Sequence, residues 1–255
     1  MKKIKNKIQA SKYLDIPENE ILDFYKFDNK DWCYEDKNKY YHLFRRINNK
    51  YVELTENINA KCVNSFENKD WIYEDEKRYW HLMRKIKDEY VELTKGINAI
   101  YIYSFDNYEW KYRDKNNYYH LFREIDGKQV ELTEKVNAIN IWSYDNGDWV
   151  YEDEERYRHL YRLIKDEWVE LTEGINTTWA SPYNNYDWAY TDENEYYHLF
   201  RKIGDKYIEL TKNVNAIDIN SYRNSDWEYL NENYNWYKFD KNNKLINKYK
   251  NYENK

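Results

Sequence analysis

The sequence predicts an all-β protein in which one short unit is repeated six times. Tryptophan recurs at intervals of 39 residues with no insertion or deletion, at Trp32, Trp71, Trp110, Trp149, Trp188 and Trp227. All five histidines keep the same interval, at His42, His81, His120, His159 and His198. Repeats of about 20 to 50 residues are typical of solenoids, propellers and other arrays.

The third repeat, residues 97–135, shows the elements of the unit in order. Alternation and β-branching predict a first strand over residues 97–105, followed by a turn over residues 106–109. A second strand over residues 110–114 and a third over residues 118–125 come next. Asp126-Gly127 is a type I′ hairpin signal, which leads into a fourth strand over residues 128–133.

Four short strands in each repeat are typical of a propeller blade, so we predict a six-bladed β-propeller. Tandem β-trefoils and an open array of β-hairpins are the alternatives. We expect one repeat domain over residues 1–255, with repeats at approximately 19–57, 58–96, 97–135, 136–174, 175–213 and 214–255. Residues 12–19 resemble residues 50–57, and we expect them to close the ring as a strand of the last blade.

The composition is that of a folded, aromatic-rich chain. Aromatic residues make up 20% of the 255 residues, whereas disordered chains are poor in them. The net charge is -6 with both signs interspersed, which argues against a nucleic-acid partner.

No segment approaches the ~18 consecutive apolar residues of a membrane span, so no membrane association is expected. Cys33 and Cys62 hold unrelated positions in the repeat, and no apolar stretch follows the basic start of the chain. Two lone cysteines without a secretory signal indicate a reducing compartment, and we predict a cytoplasmic protein.

Short motifs in the repeats resemble known families. The stretches Asp36–Tyr41 and Asp114–Tyr119 resemble the DKNYY repeat of bacterial proteins, and this resemblance implies no defined activity. Residues Ser143–Trp149 resemble the Asp-box turn of sialidase-like propellers, although the Asp-box is one residue longer. The recurring histidine is similar to the structural histidine of WD-type propellers. These likenesses imply β-turns and a propeller rather than glycosidase activity.

Repeat positions that carry the same residue in nearly every copy are expected to have a structural role. We interpret the six tryptophans and the five histidines in this way. Counting back from the Asp126-Gly127 turn pairs His120 with Thr133 and places Glu131 diagonally near it. We expect a structural hydrogen bond there, because one histidine in each repeat cannot surround one metal ion. An arginine column should pair with neighbouring carboxylates, or alternatively receive an anion. It consists of Arg45, Arg84, Arg123, Arg162 and Arg201.

The first strand of each repeat has one apolar face and one face that differs in every copy. Aromatic platforms beside a few polar groups suit a binding surface, whereas unconstrained filler is the alternative. If the first strands are innermost, this face lines a central channel. The candidate ligand-binding residues are Asp23, Tyr25, Tyr101, Tyr103, Asn140, Trp142, Trp179 and Asp218.

We therefore predict a non-enzymatic binding or scaffold module that presents this surface to a protein or peptide partner. The first alternative is a lectin-like carbohydrate-binding protein with a glycan partner. The second is a hydrolase with Asp23 and Asp218 paired in the channel. The sequence has no nucleophile paired with a base, no Gly-rich phosphate loop and no metal-spaced cluster. No catalytic residue, metal or cofactor is predicted.

Overall fold

The computed structural model describes residues 4–105 and 109–250 of the chain. These residues form one α-helix, one short 3₁₀ helix and six four-stranded antiparallel sheets. In every sheet the strands are hydrogen-bonded in sequence order, as in a propeller blade. The predicted fold class, an all-β six-bladed propeller, is confirmed. The turn predicted over residues 106–109 lies mostly outside the described residues.

The chain forms two compact units, and the first is Met1–Lys135. It begins with α1 (Lys7–Leu14) and the 3₁₀ helix (Glu18–Glu20). The first sheet contains β1 (Ile21–Lys26), β2 (Trp32–Asp36), β3 (Tyr41–Ile47) and β4 (Lys50–Glu53). The second contains β5 (Cys62–Ser65), β6 (Trp71–Glu74), β7 (Trp80–Ile86) and β8 (Glu89–Glu92). The third contains β9 (Tyr101–Ser104), β10 (Trp110–Arg113), β11 (Tyr119–Ile125) and β12 (Lys128–Glu131).

The second unit, Val136–Lys255, contains the other three sheets. The fourth sheet is formed by β13 (Asn140–Ser143), β14 (Trp149–Glu152), β15 (Arg158–Ile164) and β16 (Glu167–Glu170). The fifth is formed by β17 (Ala180–Pro182), β18 (Trp188–Thr191), β19 (Tyr197–Ile203) and β20 (Lys206–Glu209). The sixth is formed by β21 (Ala216–Ser221), β22 (Trp227–Asn231), β23 (Asn235–Phe239) and β24 (Leu245–Lys250).

The predicted hairpin between the third and fourth strands is confirmed in the third sheet. Ile125 pairs with Lys128, and the two residues between them, Asp126 and Gly127, have φ of 51° and 74°. Positive φ at both central positions defines a type I′ turn, whose twist matches that of the flanking strands. This turn sets the register of the third and fourth strands.

A stack of aromatic rings runs across one face of each sheet. In the first sheet the Trp32 ring lies 4.3 Å from Phe44, and the Tyr34 ring lies 4.7 Å from His42. The six repeat tryptophans are only 0–4% exposed. Such rings bury a large apolar area and gain further from stacking. Each repeat therefore has an aromatic core of its own.

Neighbouring sheets within a unit pack face to face. Leu43 and Cys33 of the first sheet form one buried cluster with Ala60, Val63 and Trp71 of the second. The same arrangement joins the second and third sheets, the fourth and fifth, and the fifth and sixth. In each of these four pairs the later repeat supplies its tryptophan, and the earlier sheet supplies a leucine and one other apolar residue.

The prediction that residues 12–19 form a ring-closing strand is wrong. Residues 12–14 end α1, and the fourth strand of the sixth sheet is β24, which pairs with β23. The helix starts because the Asn6 side chain accepts a hydrogen bond from the Gln9 backbone N–H at 3.0 Å. It is held by burial of Ala10, which packs with Ile4, Ile21 and Trp32. The helix covers the tryptophan face of the first sheet.

The sixth sheet carries a buried carboxylate where four earlier sheets have small or apolar residues and the third has Lys111. Glu228 is 5% exposed, and it occupies the repeat position of Cys33, Ile72, Val150 and Ala189. Its oxygens accept hydrogen bonds from the hydroxyls of Tyr222 and Tyr249 at 2.5 and 2.8 Å. Tyr249 belongs to β24, so the last strand supplies one of the partners that satisfy this carboxylate.

Candidate functional site

The predicted first-strand residues divide into exposed aromatics, capping polar residues and packed tryptophans. Tyr25 is 53% exposed, Tyr101 40% and Tyr103 41%, all in the first unit. Large aromatic rings gain more free energy from burial than other side chains, so rings left this exposed need an explanation. These three tyrosines, together with Asp23 and Asp218, are the predicted residues that remain exposed.

The polar candidates have a local structural role. Asp23 accepts a hydrogen bond from the backbone N–H of Phe24 at 2.7 Å. Asn140 and Asp218 bond in the same way to Ile141 and Ile219, at 3.0 and 2.8 Å. Asp and Asn side chains favour such short-range backbone bonds. Burial raises the pKa of Asp218 above its ordinary value. Asp23 and Asp218 belong to different units, and their pairing remains a prediction.

The two candidate tryptophans pack between sheets of the second unit. Trp142 lies against the cluster of Val150, Leu160, Ala180 and Trp188, with the Arg158 guanidinium 4.5 Å from its ring centroid. Trp179 lies against the cluster shared by the fifth and sixth sheets, and its ring is 5.1 Å from Tyr197. Both rings are only partly accessible, so they contribute to the core as well as to the surface.

A cleft of about 390 Å³ reaches Tyr103 from the turns between first and second strands. Aromatic and amide groups line it, among them Phe27, Phe66, Asn29 and Asn64. The Tyr103 ring stands edge-on to Phe66 at 5.6 Å and to Phe105 at 4.9 Å. Seven of its ten lining residues are polar or charged, and the three rings of Phe27, Phe66 and Tyr103 form its apolar part.

Next to Tyr103, Tyr101 lies in a patch of rings and cations on the third sheet. Its ring is 6.4 Å from Tyr119 and 6.0 Å from the Arg113 guanidinium. Burial lowers the pKa of Lys111, whose ammonium lies 5.0 Å from the Tyr119 ring. Cation–π contacts of this kind hold exposed rings in fixed orientations.

The five histidines bond to carboxylates. His120 Nδ1 lies 2.7 Å from Glu131 Oε1, and the other four bond to the equivalent glutamates. The counted register is observed as far as Phe122 and Glu131, and the Thr133 hydroxyl accepts a hydrogen bond from the Leu121 backbone N–H. The bond that holds His120 is therefore the one to glutamate. The Glu131 hydrogen bond raises the pKa of His120, and the equivalent bonds raise those of His42 and His159.

The five arginines pair with carboxylates of their own sheets. Arg45 donates to Asp31 through Nε and Nη2 at 2.8 and 2.6 Å. It also donates to Ser65, to the Lys69 carbonyl and to the Tyr90 hydroxyl of the second sheet. These bonds occupy all five N–H groups of a guanidinium. Arg45 therefore joins two sheets and has no N–H group left for a ligand.

Sequence reasoning missed the carboxylate that pairs with each arginine. The signal was present, because an acidic residue directly precedes every repeat tryptophan. These residues are Asp31, Asp70, Glu109, Asp148, Asp187 and Asp226. The cleft residues Asn29 and Phe66 had no signal of their own, since turn residues from two repeats meet there only after the sheets pack.

Among the described residues, no group of three or more His, Cys, Asp or Glu side chains is placed to hold a metal ion. No helix in the described part of the chain has the length and apolar character needed to cross a bilayer. Burial raises the pKa of the Cys33 thiol to about 12, which leaves it protonated and unreactive at neutral pH.

No protein-family model and no curated protein matches the chain. Among solved structures it is similar to YCF48 bound to D1 peptide, at 11% identity and a TM-score of 0.35, covering 88% of this chain and 80% of that one. It is also similar to the C-terminal WD40 domain of Sif2, at 10% identity and a TM-score of 0.35, covering 91% and 73%. A third similar structure is Hsv2 of Kluyveromyces lactis, at 11% identity and a TM-score of 0.37, covering 89% of this chain and 77% of that one. Likenesses this distant carry no argument about function.

Proposed function

We propose that this protein is a non-enzymatic scaffold that binds a peptide segment of a partner protein in the cleft beside Tyr103. One observation carries the proposal: the cleft ends at a ring that is 41% exposed, yet contacts Phe66 and Phe105. Tyrosine in a fixed orientation is a typical anchor of binding hot spots, because little side-chain entropy is lost on binding.

The polar lining of the cleft fits the same ligand. Asn64 is exposed, and its carboxamide carries both donors and an acceptor that a peptide backbone can use. The Asn64 carbonyl oxygen already accepts from the Ser65 N–H at 2.8 Å, so its NH₂ group points the remaining donors outward for a peptide carbonyl. The aromatic rings of the cleft would contact the side chains of the peptide, and the Asn64 amide would bond to its main chain.

The test is selection of binders from a random peptide display library, followed by fluorescence polarisation with the selected peptides. Tyr103→Ala should weaken binding by at least about tenfold, as loss of a tyrosine hot spot costs roughly 2 kcal/mol. Its melting temperature should stay near that of the unmodified protein, because the ring is largely at the surface.

Tyr234→Ala is the matched control, since Tyr234 is 52% exposed and lies in the turn between β22 and β23. It should leave peptide affinity unchanged. Failure to select any binder, or equal affinity of Tyr103→Ala and the unmodified protein, would refute the proposal. Glycan-array binding that is lost in Tyr103→Ala would favour the lectin alternative.

A further inference from the structure

A second, larger cavity in the first unit has a lining that is mainly cationic. It has a volume of about 660 Å³ and lies among the turns of the first and second sheets. Six cationic side chains line it, against the three carboxylates of Asp28, Asp31 and Glu67. The cations are Lys26, Lys30, Arg45, Arg46, Lys69 and Lys85. This excess of positive charge stands out in a chain whose net charge is -6.

The carboxylates do not cancel this charge evenly. Asp31 is bound by Arg45 and is 4% exposed, so these two charges neutralise each other. Lys26, Lys30 and Lys69 form no ion pair within the described part of the chain, and Arg46 donates to the Asn49 carbonyl oxygen at 3.0 Å. Asp28 and Glu67 lie at the boundary with the Tyr103 cleft, which they also line. Lys85 lies 3.7 Å from Asp88, so Lys26, Lys30, Lys69 and Arg46 are the cations left to face Asp28 and Glu67.

Two of these lysines stand at backbone positions that do not favour them. Lys30 and Lys69 have φ of 74° and 70°, and the equivalent residue of the fourth repeat is Gly147 with φ of 86°. A left-handed conformation is unfavourable for a residue with a Cβ, and glycine avoids this cost. The same turn position is also left-handed at Tyr186 and Ser225, with φ of 67° and 66°, so the turn itself sets this conformation and glycine can replace either lysine there.

The rest of the lining suits an organic ligand. Tyr51 and Tyr90 supply rings, and Ile4 and Ile47 supply apolar surface. The volume is within the range of small-molecule sites. Lysine ammonium groups are flexible point charges that bind phosphate and carboxylate groups without fixed geometry.

We propose that this cavity binds a compact polyanion carrying several phosphate or carboxylate groups. The lysines hold the charged groups, and the tyrosine rings and isoleucines contact the remainder. The cavity adjoins the Tyr103 cleft, with which it shares Lys26, Asp28, Asn29 and Glu67. Lys30 and Lys69 line only the cavity and Tyr103 only the cleft, so either binding activity can exist without the other. A free polyphosphate and an acidic peptide segment share this chemistry.

The experiment is calorimetric titration of the full chain with inorganic tripolyphosphate and, in a second arm, with a hexaglutamate peptide. We expect binding of at least one probe, weakening as sodium chloride is added, because exposed charges are screened by salt. Binding of tripolyphosphate alone identifies phosphate as the ligand group, and binding of hexaglutamate alone identifies an acidic peptide.

Lys30→Gly/Lys69→Gly removes two cations and relieves the backbone, and the Lys69 carbonyl that accepts from Arg45 is kept. Its affinity should fall by at least about tenfold with no loss of melting temperature. Lys39→Gly/Lys165→Gly is the matched control, since both lysines have positive φ, at 61° and 51°, and neither lines the cavity. It should bind as the unmodified protein does.

Lys26→Ser is a further variant, which restores the serine found at this position in four other repeats, as in Ser65 and Ser104. It should also weaken binding, by about fivefold for one part-exposed charge. The proposal is wrong if neither probe binds the unmodified protein, or if both double variants lose affinity equally. Tyr103→Ala should bind the polyanion normally, which separates this site from the peptide cleft.

Discussion

At the scale of single residues, the repeat keeps its buried tryptophan and varies how the indole N–H is satisfied. In four repeats the indole nitrogen has no hydrogen-bond acceptor, and the ring stands nearly perpendicular to an aromatic ring of the fourth strand. In the third repeat that ring is replaced by Gln129, whose oxygen accepts from Trp110 Nε1 at 2.8 Å. An aromatic face is a weak acceptor for N–H. The ring in four repeats and the Gln129 amide in the third therefore both provide an acceptor for the buried indole N–H.

This equivalence predicts the effect of changing Gln129. Gln129→Leu should destabilise the protein by about 1–3 kcal/mol, because it leaves a buried N–H unpaired. Gln129→Tyr should be close to neutral, because it recreates the arrangement of Trp71 and Tyr90. Urea unfolding followed by tryptophan fluorescence measures both. Equal stability of the two variants would contradict the role of the N–H.

The histidine–glutamate bonds predict how stability depends on pH. The Glu131 hydrogen bond raises the pKa of His120 above its ordinary 6.5. A raised pKa in the folded state means that the charged histidine stabilises the fold. This contribution is complete below the unfolded pKa and is lost as pH rises through the folded one. The pKa values of His42 and His159 are raised in the same way, by their hydrogen bonds to Glu53 and Glu170.

The melting temperature should therefore decline as pH is raised from about 6 to about 8. Glu131→Gln should flatten the decline and return the pKa of His120, read by NMR titration, toward 6.5. Exposed Glu173→Gln serves as the control and should leave the profile unchanged. A His120 pKa that does not move in Glu131→Gln would show that the carboxylate is not its cause.

At the scale of elements, α1 includes residues 12–14, which the sequence pattern assigned to a strand of the last blade, and it packs on the first sheet instead. Ala10 is fully buried in the cluster with Trp32, whereas Ile8 of the same helix is 50% exposed. Ala10→Asp should destabilise the first unit by at least about 3 kcal/mol, because it buries an unpaired charge.

Ile8→Asp introduces the same charge on the exposed side of α1 and should cost less than about 1 kcal/mol. Thermal melting followed by near-UV circular dichroism compares the two. Similar melting temperatures would mean that the helix does not pack on the first sheet in solution.

The strands and their turns could be predicted because each is set by local pattern. Asp126-Gly127 requires a type I′ turn, and alternation about it gives the register of β11 and β12. The helix could not, because Lys12-Tyr13-Leu14-Asp15 matches the fourth-strand pattern of Lys50-Tyr51-Val52-Glu53. Only the Asn6 cap and the burial of Ala10 decide between helix and strand, and burial depends on the whole fold.

The candidate site was predicted less completely, because exposure depends on what the next sheet covers. Tyr103 and Trp142 hold the same repeat position, yet Tyr103 remains exposed and Trp142 packs against the fifth sheet. The lysine cavity and the Tyr103 cleft each combine turns of two repeats. A pattern read along one repeat does not show such a combination.

At the scale of the molecule, repeat arrays respond to damage locally, since each unit contacts only its neighbours. Arg201 pairs with Asp187, which is buried at 1% exposure, and Ser221 of the sixth sheet joins the same network. Arg201→Ala should leave the buried Asp187 carboxylate without its ion-pair partner and lower the free energy of unfolding by about 3 kcal/mol.

Hydrogen exchange with mass spectrometry should show about a hundredfold faster exchange in β18, β19 and β21, as this free energy implies. Strands β6 and β7 of the first unit should keep their protection. Arg156→Ala is the control, because Arg156 is exposed and its bond to Glu152 contributes little. Uniform acceleration across both units would contradict a local response.

Glu228 has a consequence for exchanging repeats in the laboratory. Four repeats carry Cys33, Ile72, Val150 or Ala189 at its position, and these side chains pack in one cluster with the tryptophan of the following repeat. The Glu228 carboxylate instead accepts hydrogen bonds from Tyr222 and Tyr249, so a sheet packed there in the same way would have to displace both hydroxyls. A chimera that places the sixth repeat ahead of another copy would therefore first need Glu228 replaced by valine or alanine.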